Sequence, residues 1–406
     1  MPALIGLAYL SLLVLGLLDN VRGPFYPDIL EDLNLSATRG SLFFAVTSML
    51  AFCGSWSSQI LLRRYSSVTL VLVSCFGFGL GFGAIAISDG VPWMLLACAF
   101  FGWALGVLAV AQNVLVVEHS QGELRRRLLT GLHGMYAVAS LGAPLLATVL
   151  RSQGLGWREA FLLFALAPVV LASVSWLYLR VRAEGRLQSR QNSAFTPRAV
   201  DHQTQPLTAG EWMQCILFGL LMAGYLWGEV SVFTRFVLWL RLDHGYVSER
   251  ADLMLAAFFL ALLMGRLAFG VWNLRGLSNW MVLALSSGLA GFLYLAGLHW
   301  NPWLIVAAGL FMAPFYPVAL DQIQSLFGPK GPQAMGFVIG FGSFSLVLMH
   351  ITLGRLNDWW GITKALQTCA LAQLGVALVL ILRLVYVSQV RVLARSAEPK
   401  KWASET

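Results

Sequence analysis

Charge is what this sequence has least of. Only 11% of its 406 residues are Asp, Glu, Lys or Arg, while 58% are hydrophobic, against roughly 25% charged in soluble domains. That shortage excludes a soluble globular protein and implies a polytopic membrane protein. The net charge of +8 does not gather into a nucleic-acid patch, because most basic residues sit in short connections between apolar runs, where they report topology. Cysteine is scarce as well. Cys53, Cys75, Cys98, Cys215 and Cys369 all fall inside apolar segments, with no CxxC spacing and no clustered histidine, so neither a disulfide nor a structural metal is expected. Enzyme signatures are missing: there is no HExxH, GxSxG or GxxxxGK, and Gly328-Pro329-Lys330-Gly331 has a proline in the way and no strand before it. No catalytic residues and no cofactor are expected. The N-terminus lacks a charged leader and a small-residue cleavage site, so the run from Ala3 reads as a first span and not a removed signal peptide.

What the sequence does have is about twelve apolar runs long enough to cross a bilayer. They cover 3–29, 39–62, 68–88, 91–118, 128–150 and 159–180, then 209–240, 250–273, 279–298, 302–326, 333–355 and 363–386. One set of connections holds Arg63-Arg64, Arg125-Arg126-Arg127, Arg180, Arg182, Arg186, Arg190, Arg198, Arg275 and Lys330, with Lys400-Lys401 in the tail. The opposite set mixes Glu31, Asp32, Asp89, Glu159 and Asp243 with Arg39, Arg151, Arg158, Arg241 and Lys364. The basic excess favours both termini in the cytoplasm. A single long polar stretch, rich in Arg, Gln and Ser with Pro197 and Pro206, divides the chain into a six-helix bundle at 1–180, a cytoplasmic linker at 181–208, a second six-helix bundle at 209–386 and a tail at 387–406.

The first span carries an acid, an amide and a guanidinium in Gly16-Leu17-Leu18-Asp19-Asn20-Val21-Arg22-Gly23-Pro24. A charge at that depth costs at least ~2.5–3.5 kcal/mol unless paired or hydrated, so these side chains face protein or a water-filled cavity. Asp19 and Arg22 share a helix face and can neutralise each other. Pro24 and Pro27 bend the segment. The halves echo each other: Gly16-Leu17-Leu18-Asp19 recurs loosely as Gly224-Tyr225-Leu226-Trp227-Gly228-Glu229, and Gly156-Trp157-Arg158-Glu159-Ala160 as Trp360-Gly361-Ile362-Thr363-Lys364-Ala365. Thirty-nine glycines, Gly77, Gly79, Gly81 and Gly83 of the third run among them, allow close helix approach.

Two parallel six-span repeats resemble the major facilitator superfamily, and several motifs resemble its fucose/galactose/glucose permease branch. In that branch the first span reads like D-G-x-x-G-P-x-x-P, matched by Asp19 to Pro27 with Asn20 in place of the first glycine. His133, Tyr136 and Pro144 resemble the fifth-span pattern, Tyr225 to Glu229 the seventh-span Y-x-G-x-E with Trp227 in place of glycine, and Asn113 the fourth-span amide. The sequence also departs from the family. The signature after the second span, G-x-x-x-D-R-x-G-R-R, is reduced to Arg63-Arg64-Tyr65-Ser66-Ser67, and Ala109 stands where the branch often has an acid. Any coupling acid is then Asp19, Glu229 or Asp321.

The resemblance implies that spans 1, 4, 7 and 10 line a central cavity. The candidate solute-binding residues are Asp19, Asn20, Arg22, Gln112, Asn113, Tyr136, Trp227, Glu229, Tyr316 and Gln322. The proton-coupling candidates are Asp19, His133, Glu229 and Asp321, and the gating candidates Arg266 and Asp321, which could pair at the cytoplasmic side. At 1.5 Å per residue, Asp19 and Glu229 lie just beyond mid-membrane on the outer side, and Asn113, His133 and Asp321 in the cytoplasmic half. Plainer readings stand beside these. Asp19 and Arg22 could be a structural pair and His133 a hydrogen-bonded interior histidine. Trp227, turned away from Glu229, would only pack unless Gly228 unwinds the helix, and His350 would only face a neighbour. Arg235 and Arg266 lie near span ends, where snorkelling to the interface is the default. Glu229 has no basic residue within a helical turn. Pro314 and Pro317 break the tenth span, freeing backbone groups around Phe315 and Tyr316.

The sequence therefore predicts an all-α protein of twelve transmembrane helices in two pseudo-symmetric bundles. The expected function is secondary transport of a small sugar-like or anionic solute by alternating access, with proton symport, by a monomer in a bacterial inner membrane. The partners expected are the solute, protons and the lipid bilayer. An exporter of amphipathic compounds is the alternative and would show a cavity dominated by Phe, Met and Trp. A non-transporting sensor or assembly factor is a third possibility.

Overall fold

A computed structural model describes residues 2–187, 207–271 and 276–397. The expected linker largely falls outside these residues, as do Arg190, Arg198, Arg275, and Lys400-Lys401 of the tail. Every element is helical: α1 (Pro2–Asp32), α2 (Ala37–Leu61), α3 (Ser67–Ala86), α4 (Val91–Glu118), α5 (Gly122–Ser152), α6 (Trp157–Leu187), α7 (Ala209–His244), α8 (Ser248–Val271), α9 (Asn279–His299), α10 (Trp303–Met312), α11 (Phe315–Phe327), α12 (Gly331–Trp360) and α13 (Ile362–Ala397). Among the described residues these make twelve membrane spans, α10 and α11 together forming the tenth.

Local chemistry sets the ends. Ser36, Ser66 and Ser278 cap α2, α3 and α9 by accepting from backbone N–H groups of the first turn, and Thr208 with Glu211 forms a reciprocal capping box on α7. The tenth span breaks between Met312 and Phe315, where Pro314 and Pro317 remove two donors. Carbonyls beside the break take side-chain donors instead: Tyr225 donates to Met312 O at 2.9 Å and Ser286 to Phe311 O at 2.5 Å. α7 is unbroken, with Gly228 packed against the Gln373 side chain.

Packing repeats with an offset of six spans. α1 packs on α5 and α6 as α7 packs on α12 and α13, α2 on α4 as α8 on α10, and α3 on α4 and α6 as α9 on α10 and α13. The halves meet where α1 crosses α7, α2 crosses α12 and α5 crosses α8, and the last two crossings exchange under the same symmetry. Leu80, Leu96, Leu166, Val174, Leu220, Leu371 and Leu382 are exposed, the apolar exterior that lipid requires. Twelve crossings bring the start of α1 and the end of α13 to one face, the terminal face. The opposite one is the far face.

Within the first bundle α2 and α4 touch backbone to backbone. A Cβ on Gly106 would lie 2.0 Å from Ala51 O, and one on Gly102 2.4 Å from Thr47 O. Gly106→Val is expected to destabilise the bundle by at least the ~1–3 kcal/mol typical of overpacking, read as loss of a monodisperse size-exclusion peak. An unchanged peak and melting temperature would refute the crossing.

Candidate functional site

A cavity of about 310 Å³ opens between the two bundles. α5 contributes Tyr136, Ala137 and Ser140; α7 contributes Leu226, Glu229, Val230 and Phe233; α8 contributes Phe259, Leu262, Leu263 and Arg266; and α11 contributes Tyr316. Glu229 is 5% exposed, and its Oε1 lies 3.7 Å from Nη2 of Arg266. Tyr136 ties the first bundle into the same place by donating from its hydroxyl to Asp19 Oδ2 at 2.9 Å, while Asp19 pairs with Arg22 one turn on. Asn20 donates to Gly16 O at 2.8 Å and to Ser140 Oγ at 3.1 Å, joining α1 to α5 behind the cavity wall. One polar strip thus runs from Arg22 through Asp19 and Tyr136 into the cavity that holds Glu229 and Arg266.

Above the cavity the far face is sealed. Arg151 Nη2 lies 2.6 Å from Asp28 Oδ2, and Arg151 Nε 3.2 Å from Asp252 Oδ2. Arg241 Nη1 lies 2.5 Å from Asp28 Oδ1. Asp358, at the end of α12, accepts from the backbone N–H groups of Ala37 and Thr38 at 2.9 Å each, capping a helix of the other bundle. Toward the terminal face Asp321 and His133 are exposed, and Asn113 and Tyr316 are half-buried.

A model described as Major Facilitator Superfamily matches residues 8–331. The chain belongs to the major facilitator superfamily. It is similar to the fosmidomycin resistance protein of Escherichia coli (strain K12), with 27% identity over 236 residues. That match covers 57% of this chain and 56% of the relative, so it spans little more than half of the relative's length. Solved structures share the fold at low identity. A D-xylose-proton symporter has a TM-score of 0.70 at 13% identity, covering 93% of this chain and 96% of that one. A nucleoside transporter has 0.72 at 11%, covering 93% and 99%. An inward-facing, unoccupied bacterial homologue of the human lysosomal transporter Spinster has 0.69 at 12%, covering 94% of each. Membership of that family makes the chain a transporter and not an enzyme, while the solved structures, at 11–13% identity, speak to the fold alone.

Several residues of this major facilitator protein sit elsewhere than the sequence implied. Glu229 is not isolated, because Arg266 reaches it from α8 instead of snorkelling. Asp321 therefore does not meet Arg266. It is exposed and accepts from Asn279 Nδ2 at 2.9 Å, while its neighbour Gln322 is buried, since one residue turns a helix by about 100°. Trp227 does not reach the cavity: on the unbroken α7 its Nε1 donates to Ser345 O of α12 at 3.2 Å. Gln112 is fully buried and its Oε1 accepts from Ser11 Oγ at 3.0 Å. Asn113 donates to Ala109 O of its own helix at 2.7 Å. His133 is exposed on α5 outside the cavity lining. Arg235 does not snorkel either: it is 3% exposed, with its guanidinium carbon 4.2 Å from the centre of the Tyr26 ring. His350 stacks on Phe44 of α2 at 5.2 Å.

Sequence reading missed the far-face network. In the sequence Arg151, Arg241 and Glu31 read as loop charges, and nothing marks Asp28 or Asp252. The available signal is opposite charges in the far-end turns of spans 1, 5, 7 and 8, four of the six spans that cross between the bundles.

Proposed function

We propose that the chain moves a small polar or charged solute across the bilayer by alternating access, coupled to protons, with Glu229 as the exchanging group. The Glu229–Arg266 pair carries this reading. A buried carboxylate is tolerated either as a neutral acid or as half of an ion pair, and at 3.7 Å this pair is close enough to attract but too long for a hydrogen bond. A solute that engages Arg266 leaves Glu229 to be neutralised by a proton. Solute and proton then cross together, which is symport. The far-face seal over a cavity with exposed polar groups toward the terminal face supports a resting state open on that side. The basic loops support placing that side in the cytoplasm of a bacterial inner membrane, with a monomer as the working unit.

The sugar-permease-like motifs of spans 1, 5 and 7 favour a hydrophilic solute. Export of amphipathic compounds is the second reading, favoured by the Leu, Val and Phe side chains that share the cavity and by the resistance protein among the relatives. That lining includes two Phe but neither Met nor Trp. Proteoliposomes separate the outcomes. Glu229→Gln is expected to keep solute counterflow while lowering pH-driven accumulation to simple equilibration. Transport of any solute that is unchanged in the Asp19→Asn, Glu229→Gln double variant would end the proton-coupled reading, and movement of lipophilic cations but not of sugars or organic acids would select the exporter.

A further inference from the structure

The far half of the interface buries more positive charge than negative. Arg22 of α1 and Arg235 of α7 are 6% and 3% exposed, and both guanidinium carbons lie within 5.2 Å of the centre of the Phe44 ring. Arg22 has Asp19 as its counter-ion. Arg235 pairs with no carboxylate among the described residues; its Nη1 donates to Thr234 O at 3.2 Å. Four polar atoms gathered around that one ring are buried without any hydrogen-bond partner: Arg22 Nη1, Arg235 Nη2, Tyr26 OH and His350 Nδ1. Tyr26 is 1% and His350 2% exposed.

An uncompensated buried guanidinium is strongly unfavourable, and each unsatisfied donor adds to the penalty. Glu229 does not relieve it, because six residues along an unbroken helix turn the two side chains to different faces. Asp19 is already shared between Arg22 and Tyr136. Water or a neutral polyol supplies acceptors but no charge. An oxyanion supplies both, and the planar guanidinium fork matches the oxygens of a carboxylate or phosphate. Arg22 and Arg235 each precede a far-face charge, Asp28 and Arg241, by six residues, so both lie about 9 Å below the seal. That puts them between the seal, where Arg241 of α7 meets Asp28 of α1, and the cavity that holds Glu229.

We infer that Arg22, Arg235, Tyr26 and His350 form an oxyanion subsite and that the transported solute carries a carboxylate or phosphate group. This narrows the solute class and rests on the transport reading above.

The test is the melting temperature of the purified protein in nanodiscs with inorganic phosphate, a phosphate monoester, lactate or neutral xylitol, each against chloride of equal ionic strength. At least one oxyanion is expected to raise the melting temperature by about 3–5 °C at roughly a hundredfold excess over its dissociation constant, and xylitol to leave it unchanged. The phosphate and lactate arms tell the two oxyanion types apart. Arg235→Met keeps the bulk and removes the unpaired charge, so the ligand-free variant should melt at or above the wild-type temperature and lose the oxyanion shift. Arg235→Lys, which keeps the charge and loses the fork, should retain a reduced shift and serves where the methionine variant does not fold. A ligand-free Arg235→Met that melts lower and keeps the shift would make Arg235 a structural strut and overturn the subsite. So would stabilisation of the wild type by xylitol alone. Counterflow of xylitol without oxyanion binding would remove the subsite and leave the transport reading standing. Oxyanion binding without movement of any solute would do the reverse.

Discussion

Arg151→Met is expected to unlatch the far face and abolish turnover. In the sealed state this guanidinium, at 12% side-chain exposure, is held between Asp28 at 2.6 Å and Asp252 at 3.2 Å, and it also donates to Pro24 O at 2.9 Å. The Asp252 side chain is fully buried, with its Oδ1 unpartnered, so removing Arg151 leaves a buried carboxylate with nothing opposite it. Breaking a buried pair from one side costs about 3–5 kcal/mol. Opening the far face escapes that penalty by letting water reach Asp252, so the ratio of far-closed to far-open states should fall by roughly 10²–10⁴-fold. A cysteine at Val230 in the cavity, with the five native cysteines replaced, reports the shift. An impermeant maleimide added from the far side should modify it in the Arg151→Met background and hardly at all without that change. Arg151→Lys should restore part of the closure, because an ammonium keeps the charge but cannot span both carboxylates as a fork does. Unaltered labelling in Arg151→Met would mean that the network decorates the seal without holding it.

Asp252 and Arg151 also mark where sequence reading stopped. Apolar runs of bilayer length and serine caps locate helices from local information, and Pro314 with Pro317 locates the break in the tenth span for the same reason. Which side chains meet across helices depends on rotation about each axis, and hydropathy does not record it. Arg266 stands far from Glu229 in the chain, and only the α7–α8 geometry brings them to 3.7 Å. Adjacent Asp321 and Gln322 point to solvent and to core. The apolar window closes at 240, which by sequence alone sets Arg235 near a membrane surface. The helix in fact runs on to His244, and Arg241 above it belongs to the far-face network, which puts Arg235 a turn and a half below the charged layer. The polar strip of Asp19, Arg22, Tyr136 and Glu229 was readable because charge inside an apolar run is costly wherever it points.

Gly23→Leu is expected to produce a folded protein that cannot close. Gly23 is buried where α1 crosses α7, and a Cβ there would lie 2.1 Å from Phe233 O and 3.3 Å from Phe233 C. Those atoms are backbone, so no rotamer change makes room and the two helices must part. The clash at Gly106 looks alike but has a different consequence. Gly106 joins α2 to α4 inside one bundle, a contact that the proposed cycle leaves unchanged, so filling it attacks the fold itself. Gly23 joins the bundles to each other, a contact that must form and break under the proposed alternating access, so filling it should exclude one state and spare the other. Gly23→Leu should therefore elute as a monodisperse peak, melt within a few degrees of the parent and expose the Val230 cysteine to far-side reagent throughout. Its counterflow should fall to background, since a carrier fixed open on one side binds solute without releasing it on the other. Counterflow at the parental rate would show that α1 and α7 do not need to meet at Gly23 during the cycle. Loss of the folded peak would instead make this crossing as permanent as the one at Gly106, and the two bundles would then be a single rigid body.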